Sequence, residues 1–445
     1  MVGARCAGSA AAVALARTGR RVVALDRVAF PADTLSTHLL FAGGLAELAA
    51  VGALGRVEAV GAPRLPVALM GGAGLTVSAR YTPVGGIDYG MCVRRPGLDA
   101  ALVQTAREAG ADVRERSRVT ELVWDQGCVT GVRYEDAGGR RRTLRAPLVV
   151  GADGRRSTVA RLVGAATPYR CHANERACYF AYFEDAWPRW RSVAAQWREG
   201  RELGTAFPCD GGLLLVLLMP PRERRGAFRA DLAGEFSRTI ERLPPLRERL
   251  HRCTRASKVR SATDTASYFR RASGPGWALP GDAGHFKDPI TAQGIRDAVR
   301  FGRLLGEAAA PVLDHPAALD AALRAWERRR ERECLETYQW TNQLARAEAM
   351  SPLEVELYRS AARDPDRARE MLDVFSRTRR PSEALPARRG LALAARALMR
   401  PGADRPEIVR RAGRDLRGAL KDQVERSRAV RAPLPPLPEA AVAGR

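Results

Sequence analysis

A strand–turn–helix signal at the start of the chain limits the fold more than any other feature. Gly3-Ala4-Arg5-Cys6-Ala7-Gly8 leads into an Ala-rich helical stretch at 7–18, and Arg21-Val22-Val23-Ala24-Leu25-Asp26 then reads as a strand. A dinucleotide on a parallel sheet needs this order. It requires a tight glycine turn, a helix N-terminus facing the pyrophosphate, and an acidic residue about 20 positions on for a ribose hydroxyl. Gly3 suits the turn, Gly8 permits close helix–strand packing, and Asp26 ends the next strand. Arg5 stands where the middle glycine would be, and its guanidinium can supplement the charge on the phosphates. Without Asp26, the run reads as well as a packed Ala/Gly helix. A buried strand of about five residues is expected before the first glycine, yet only Met1 and Val2 precede Gly3. We therefore expect an upstream start, or a clipped central strand that leaves backbone groups at 22–25 and 148–150 partly unpaired.

A second strand end is Leu148-Val149-Val150-Gly151-Ala152-Asp153-Gly154, followed by a helix. By itself, Asp-Gly after a strand is usually a turn. Farther on, Gly276-Trp277-Ala278-Leu279-Pro280 leads into Gly281-Asp282, and a proline, Pro289, precedes a glycine, Gly294, that opens a helix. A softer signal is Val93-Arg94-Arg95-Pro96-Gly97-Leu98 at a helix start, which could equally be a solvated arginine pair.

Together and in this order, the segments resemble the FAD-contacting motifs of flavoprotein hydroxylases of the para-hydroxybenzoate hydroxylase type, over roughly residues 1–310. The resemblance implies an α/β fold: a Rossmann-like FAD-binding domain, a mostly antiparallel substrate-domain sheet and a helical C-terminal region. It implies FAD bound non-covalently through Gly3, Arg5, Gly8, Asp26, Gly281, Asp282, Pro289 and Gly294. Arg95, with Arg94 as the alternative, would contact the ribityl-phosphate region. Asp153 and Gly154 would lie near the flavin and the reduced-nicotinamide site. The implied reaction is NAD(P)H-dependent oxygenation of an aromatic or polycyclic small molecule by molecular oxygen, through a flavin C4a-hydroperoxide. His38, His285 and Lys287 are the polar candidates near the ring. His38 is the candidate catalytic residue, with a packing or capping role as the alternative, and the role of His285 is read as structural.

Geranylgeranyl-reductase-like relatives share these motifs, so a flavin-dependent reductase or dehydrogenase is the second reading. Ala292 keeps it open, because the hydroxylases more usually have Gly there. No Trp-x-Trp-x-Ile-Pro segment occurs, which disfavours a halogenase. A third reading is non-enzymatic: a cofactor-poor remnant or a carrier-binding protein.

Composition narrows the partners. The 445-residue chain carries a formal charge of +23, almost all from arginine, and no basic helix interleaved with aromatics matches a nucleic-acid module. Anionic cofactors give that charge a plainer use than nucleic acid. The eight cysteines lack any C-x-x-C pair and the five histidines lack metal spacing, so neither a metal site nor a disulfide framework is expected. With neither an apolar run long enough to span a bilayer nor a secretory leader, the expected location is the cytoplasm.

The expected organisation is FAD domain at 1–168, substrate sheet at 169–273, FAD domain again at 274–350, basic helices at 351–431 and a polyproline-like tail at 432–445. Strands are expected at 21–26, 111–115, 119–124, 128–134, 141–145, 147–151, 176–183, 193–197, 212–218 and 264–270. Helices are expected at 96–109, 226–241, 292–309, 317–348 and 351–375. Residues 376–431 hold 16 Arg/Lys against 6 Asp/Glu. The plain reading there is a solvated helical face, and the sharper one a membrane-surface or carrier contact.

Overall fold

The computed structural model describes residues 1–34, 36–431 and 434–436. The tail expected at 432–445 lies outside these residues except for 434–436. The fold is α/β, with a nucleotide-binding part, a large and mostly antiparallel sheet and a helical C-terminal region, as the motifs implied.

The nucleotide-binding part is a parallel sheet ordered Asp112–Arg114, Val23–Leu25, Val2, Val149–Val150, Trp277–Ala278. Its centre is Met1–Gly3. Gly3 N–H donates to the Leu25 carbonyl at 2.8 Å, and Leu25 N–H to the Met1 carbonyl at 2.9 Å. On the other side, Val2 N–H donates to the Val150 carbonyl at 2.8 Å. The Met1 ammonium donates to the Val23 carbonyl at 2.7 Å. Both Leu25 groups and the Val23 and Val150 carbonyls are therefore paired, where unpaired groups were expected. The meander at Arg118–Asp125, Cys128–Glu135 and Arg141–Arg145 falls where the alternating pattern put it.

Small residues let two helices approach closely beneath the site. The first helix, Cys6–Ala16, lies against the helix Gly294–Ala309. A Cβ on Gly302 would sit 2.3 Å from the Ala7 carbonyl oxygen, so only glycine permits this spacing.

The large sheet runs Thr254–Arg255, Cys178–Glu184, Leu213–Leu218, Glu202–Pro208, Val193–Glu199, Val67–Gly72, Leu75–Arg80. Arg260–Ala262 also pairs with Cys178–Glu184. All neighbours are antiparallel except Val193–Glu199 with Val67–Gly72. The sheet thus draws two strands from the part of the chain read as FAD domain. The strand expected at 264–270 is Ser267–Phe269. It belongs to a separate small sheet with Arg170–His172 and His285–Phe286.

Two expected helices are broken, each by a capping aspartate. Asp231 accepts from Gly234 N–H and starts the helix Leu232–Glu241. Asp364 accepts from Asp366 and Arg367 N–H and separates Pro352–Ala361 from Pro365–Ser376. A short side chain that satisfies helix N-terminal donors makes a new start cheaper than continuation. The long helix Pro316–Leu344 then packs against the last one, Arg405–Arg431.

Candidate flavin-binding site

The phosphate end is built by the first turn. Gly3 has φ +93°, and a Cβ there would lie 2.5 Å from the Ala152 carbonyl oxygen. A Cβ on Gly8 would lie 1.9 Å from the Gly3 carbonyl oxygen. Asp26 ties the turn down by accepting from Ala4 N–H at 2.8 Å and from Val28 N–H at 3.1 Å. The first helix has no side-chain cap at Arg5, which leaves early N–H donors for an anion.

Arg5 and Arg95 converge on Asp99, which is fully buried. Arg95 reaches it with Nε and Nη2 at 3.1 and 2.8 Å, and Arg5 bonds it from the other side. Two guanidiniums sharing one carboxylate leave a surplus positive charge beside the helix start. Arg94 turns away and binds Asp210, in the turn between Glu202–Pro208 and Leu213–Leu218, through its N–H at 2.9 Å and its Nε at 2.7 Å. The cluster therefore contains Arg95 and not Arg94. Sequence reading missed Asp99, although its i,i+4 spacing from Arg95 was a visible signal.

Asp153 and Gly154 sit at the neighbouring strand end. The Asp153 carboxylate accepts from Ser157 Oγ at 2.5 Å and from Thr158 N–H at 2.6 Å, fixing the start of the helix Thr158–Leu162. Gly154 takes φ +80° with open space around it.

Gly281 has φ +63°, and a Cβ there would come within 3.0 Å of the Ala7 side chain. Among the described residues the Asp282 carboxylate has no hydrogen-bond partner. Burial raises its pKa, opposed by the charges of Arg155, Arg95 and Lys287. It borders a small pocket together with Gly294, Phe301 and Arg330. Pro289 starts the turn Pro289–Thr291, and Ala292 follows at φ +51°, the left-handed region that favours glycine. Gly294 opens its helix with no side-chain cap, and a Cβ on it would meet nothing within 4 Å.

These residues fit FAD. An unpartnered carboxylate suits ribityl hydroxyls, and uncapped N–H groups under open space suit an electron-rich ring edge. The arginine pair suits the phosphates.

His285, Lys287 and Asp297 form a buried triad. His285 Nδ1–H donates to the Tyr268 carbonyl at 3.0 Å, and its Nε2 accepts from the Lys287 ammonium at 2.9 Å. Lys287 also bonds Asp297. Burial, and then Lys287, lower the His285 pKa well below its ordinary value. Donor atoms of His285, Asp297 and Cys334 lie within 4.8 Å of one another, as in a metal site. The Lys287 ammonium is bonded to two of these three groups, and so takes the place of a cation.

His38 lies where the nucleotide-binding part meets the large sheet. It is fully buried at φ +62°. Its Nδ1 is 2.6 Å from the Ser36 carbonyl, so Nδ1 carries the proton. Its Nε2 accepts from the Tyr182 hydroxyl at 2.7 Å. Burial, then Arg95, push its pKa down to about 4, and the ring is neutral. Both nitrogens are engaged, so the geometry gives His38 two partners rather than a nitrogen open to substrate. Tyr182 was not read from the sequence. Around the pair, Ile290 and Ala292 pack on an apolar cluster that includes Leu39, Phe180, Tyr182 and Phe207.

The fold brings an unpartnered Gly-Asp carboxylate and two uncapped helix starts together, and membership in a FAD-binding family makes the chain a flavin-dependent oxidoreductase. Residues 1–341 match the FAD binding domain family, and the chain belongs to it. The non-enzymatic reading falls with that membership. Digeranylgeranylglycerophospholipid reductase of Methanosarcina acetivorans is 28% identical over 232 residues, which span 51% of this chain and 54% of that protein. The chain thus matches about half the length of this curated relative. Among solved structures, the myxobacterial chondrochloren halogenase CndH superposes with a TM-score of 0.69 at 22% identity, covering 86% of this chain and 97% of that one. PqsL, a probable FAD-dependent monooxygenase from Pseudomonas aeruginosa, gives a TM-score of 0.63 at 20% identity, covering 84% and 98%. At such identities the structures establish the fold alone.

Proposed function

We propose that this flavoprotein is an NAD(P)H-dependent monooxygenase that inserts one atom of molecular oxygen into an aromatic or polycyclic small molecule. The observation that carries this reading is the environment of the ring-side segment. Ile290 and Ala292 pack on an apolar cluster that includes Leu39, Phe180, Tyr182 and Phe207, and the His38–Tyr182 pair within it has its polar atoms engaged with each other and with Ser36. Such a wall favours an apolar ring and keeps bulk water from the reacting atoms.

FAD, when bound, supplies the redox and oxygen chemistry. The chain's own residues bind and orient. Asp282 would accept ribityl hydroxyls. Arg5 and Arg95 would offset phosphate charge, and Asp99 fixes their direction. The N–H groups at Gly294, with the positive end of the helix dipole, would stabilise negative charge on the ring edge by about 1 kcal/mol or more. Burial keeps His38 neutral, and the Ser36 carbonyl and the Tyr182 hydroxyl hold it in one tautomer, so His38 is a positioning residue in this reading.

A second reading, a flavin-dependent reductase of an isoprenoid chain, draws on the 28% identity to the archaeal lipid reductase. Oxygen and NAD(P)H consumption across a panel of phenolic, polycyclic and prenylated compounds tests the proposal. Substrate-stimulated consumption of both supports oxygenation, and anaerobic NAD(P)H oxidation that saturates an isoprenoid supports reduction.

A further inference from the structure

The large apolar side chains exposed on the described surface are Leu385, Leu391, Met399, Val409, Leu416, Leu420, Val424 and Val430. All eight fall between residues 385 and 430. Elsewhere among the described residues such groups are buried or half-buried, so this clustering is a property of one region.

The helix Arg405–Arg431 arranges its share in a row. Val409, Leu416, Leu420 and Val424 are spaced by 7, 4 and 4 residues, which keeps them within one stripe of a 3.6-residue helix. Advancing one residue from Val409, Leu416 and Leu420 gives Arg410, Arg417 and Lys421, and Arg428 continues that row. These four are exposed. Arg410 pairs with Glu407 of the same helix. Arg417, Lys421 and Arg428 have no ion-pair partner among the described residues.

The opposite side of the helix is already used. Gln339 donates to the Asp422 carbonyl at 3.2 Å and to Glu425 at 2.7 Å, and Arg426 donates to Gln339 at 2.7 Å. Ile408 is buried. The apolar row and the adjoining basic row therefore point outward from a helix fixed to the body of the protein. Residues 405–431 hold nine Arg/Lys against four Asp/Glu, so an anionic surface meets net attraction there.

We propose that this face is a docking surface for an anionic phospholipid bilayer. Val409, Leu416, Leu420 and Val424 would enter the boundary between headgroups and acyl chains, while Arg417, Lys421 and Arg428 pair with lipid phosphates. An apolar stripe bordered by unpaired cations is the pattern of a helix that lies in the interface plane. A protein partner that buried the stripe would have to neutralise or desolvate the three free cations beside it. An anionic lipid surface meets both rows at once.

The test is co-sedimentation of the full FAD-loaded chain with phosphatidylcholine vesicles, with and without phosphatidylglycerol. Binding is expected only to the anionic vesicles, and it weakens with added salt. The triple substitution Arg417→Glu, Lys421→Glu, Arg428→Glu should weaken partition on the order of a hundredfold, and Leu416→Ser with Leu420→Ser should also release the protein. Flavin occupancy and circular dichroism are read for each variant, and the single change Lys421→Gln serves as a mild form where a triple variant misfolds. It should weaken anionic-vesicle binding by roughly fivefold. Three results would overturn the proposal: no binding to anionic vesicles, equal binding to neutral ones, or folded variants that bind as the parent does. A concentration-dependent dimer that Leu416→Ser dissolves, with vesicle binding unchanged, would assign the face to a second copy of the chain instead.

Discussion

The Tyr182 hydroxyl donates to Nε2 of His38 at 2.7 Å, joining two residues 144 positions apart across the boundary between the nucleotide-binding part and the large sheet. His38 is fixed in turn by its left-handed backbone and by the Ser36 carbonyl. The pair closes the wall on which Ile290 and Ala292 rest. Tyr182→Phe leaves the His38 nitrogen without a donor in a dry site. A loss of about 1–3 kcal/mol in unfolding free energy is expected, measured by denaturant titration.

The same pair makes stability depend on pH. His38 is held neutral, with its pKa lowered from 6.5 to about 4, chiefly by burial. As pH falls, the unfolded chain takes up this proton first. The contribution is complete above pH 6.5 and is lost as pH drops from 6.5 toward 4, amounting to roughly 3 kcal/mol. His285 shifts in the same direction. The buried Asp288 carboxyl, raised to about 6, acts in the opposite sense over the same window, so the check is a difference: between pH 6.5 and 4 the melting temperature of His38→Gln, which does not titrate, should drop less than that of the parent.

Asp99 is fully buried and holds two half-buried arginine head groups. Asp99→Asn leaves Arg5 and Arg95 without their compensating charge. Breaking a buried pair from one side costs about 3–5 kcal/mol. A large drop in melting temperature with reduced flavin occupancy is expected, while Arg94→Ala, which frees Asp210 instead, should retain flavin.

Glycine substitutions separate packing from ligand contact. Gly8→Ala puts a methyl group 1.9 Å from the Gly3 carbonyl, and overpacking of this kind costs typically about 1–3 kcal/mol. Gly294→Val meets no protein atom within 4 Å at its Cβ. It should leave the flavin-free protein nearly as stable as the parent, yet lower FAD affinity. Differential scanning calorimetry of both forms, with FAD titration, distinguishes the two effects.

Much of this was legible because it is local. A glycine turn, an Ala-rich helix and the hairpins at 118–145 are written in consecutive residues, and so are Gly281-Asp282 and Gly294. What stayed hidden depends on distant parts of the chain meeting. Tyr182 gives no sign in its own strand that it will reach His38. Strands Val67–Gly72 and Leu75–Arg80 join the large sheet through a parallel contact with Val193–Glu199, far along the chain. The helix breaks at Asp231 and Asp364 were readable, since each aspartate precedes a run whose N–H groups it can cap, but periodicity alone ran through them.

Asp282→Ala should lower the flavin-to-protein absorbance ratio of purified protein, because its carboxylate is the unpartnered acceptor at the cavity. An unchanged ratio would remove Asp282 from the binding set.

Turnover under isotopically labelled molecular oxygen, with the product analysed by mass spectrometry, tests the proposed activity most directly. Monooxygenation predicts a product carrying one labelled oxygen atom, formed only when NAD(P)H and oxygen are both present. A product that gains two hydrogens and no label, and that forms equally well without oxygen, would contradict the account and make the enzyme a reductase.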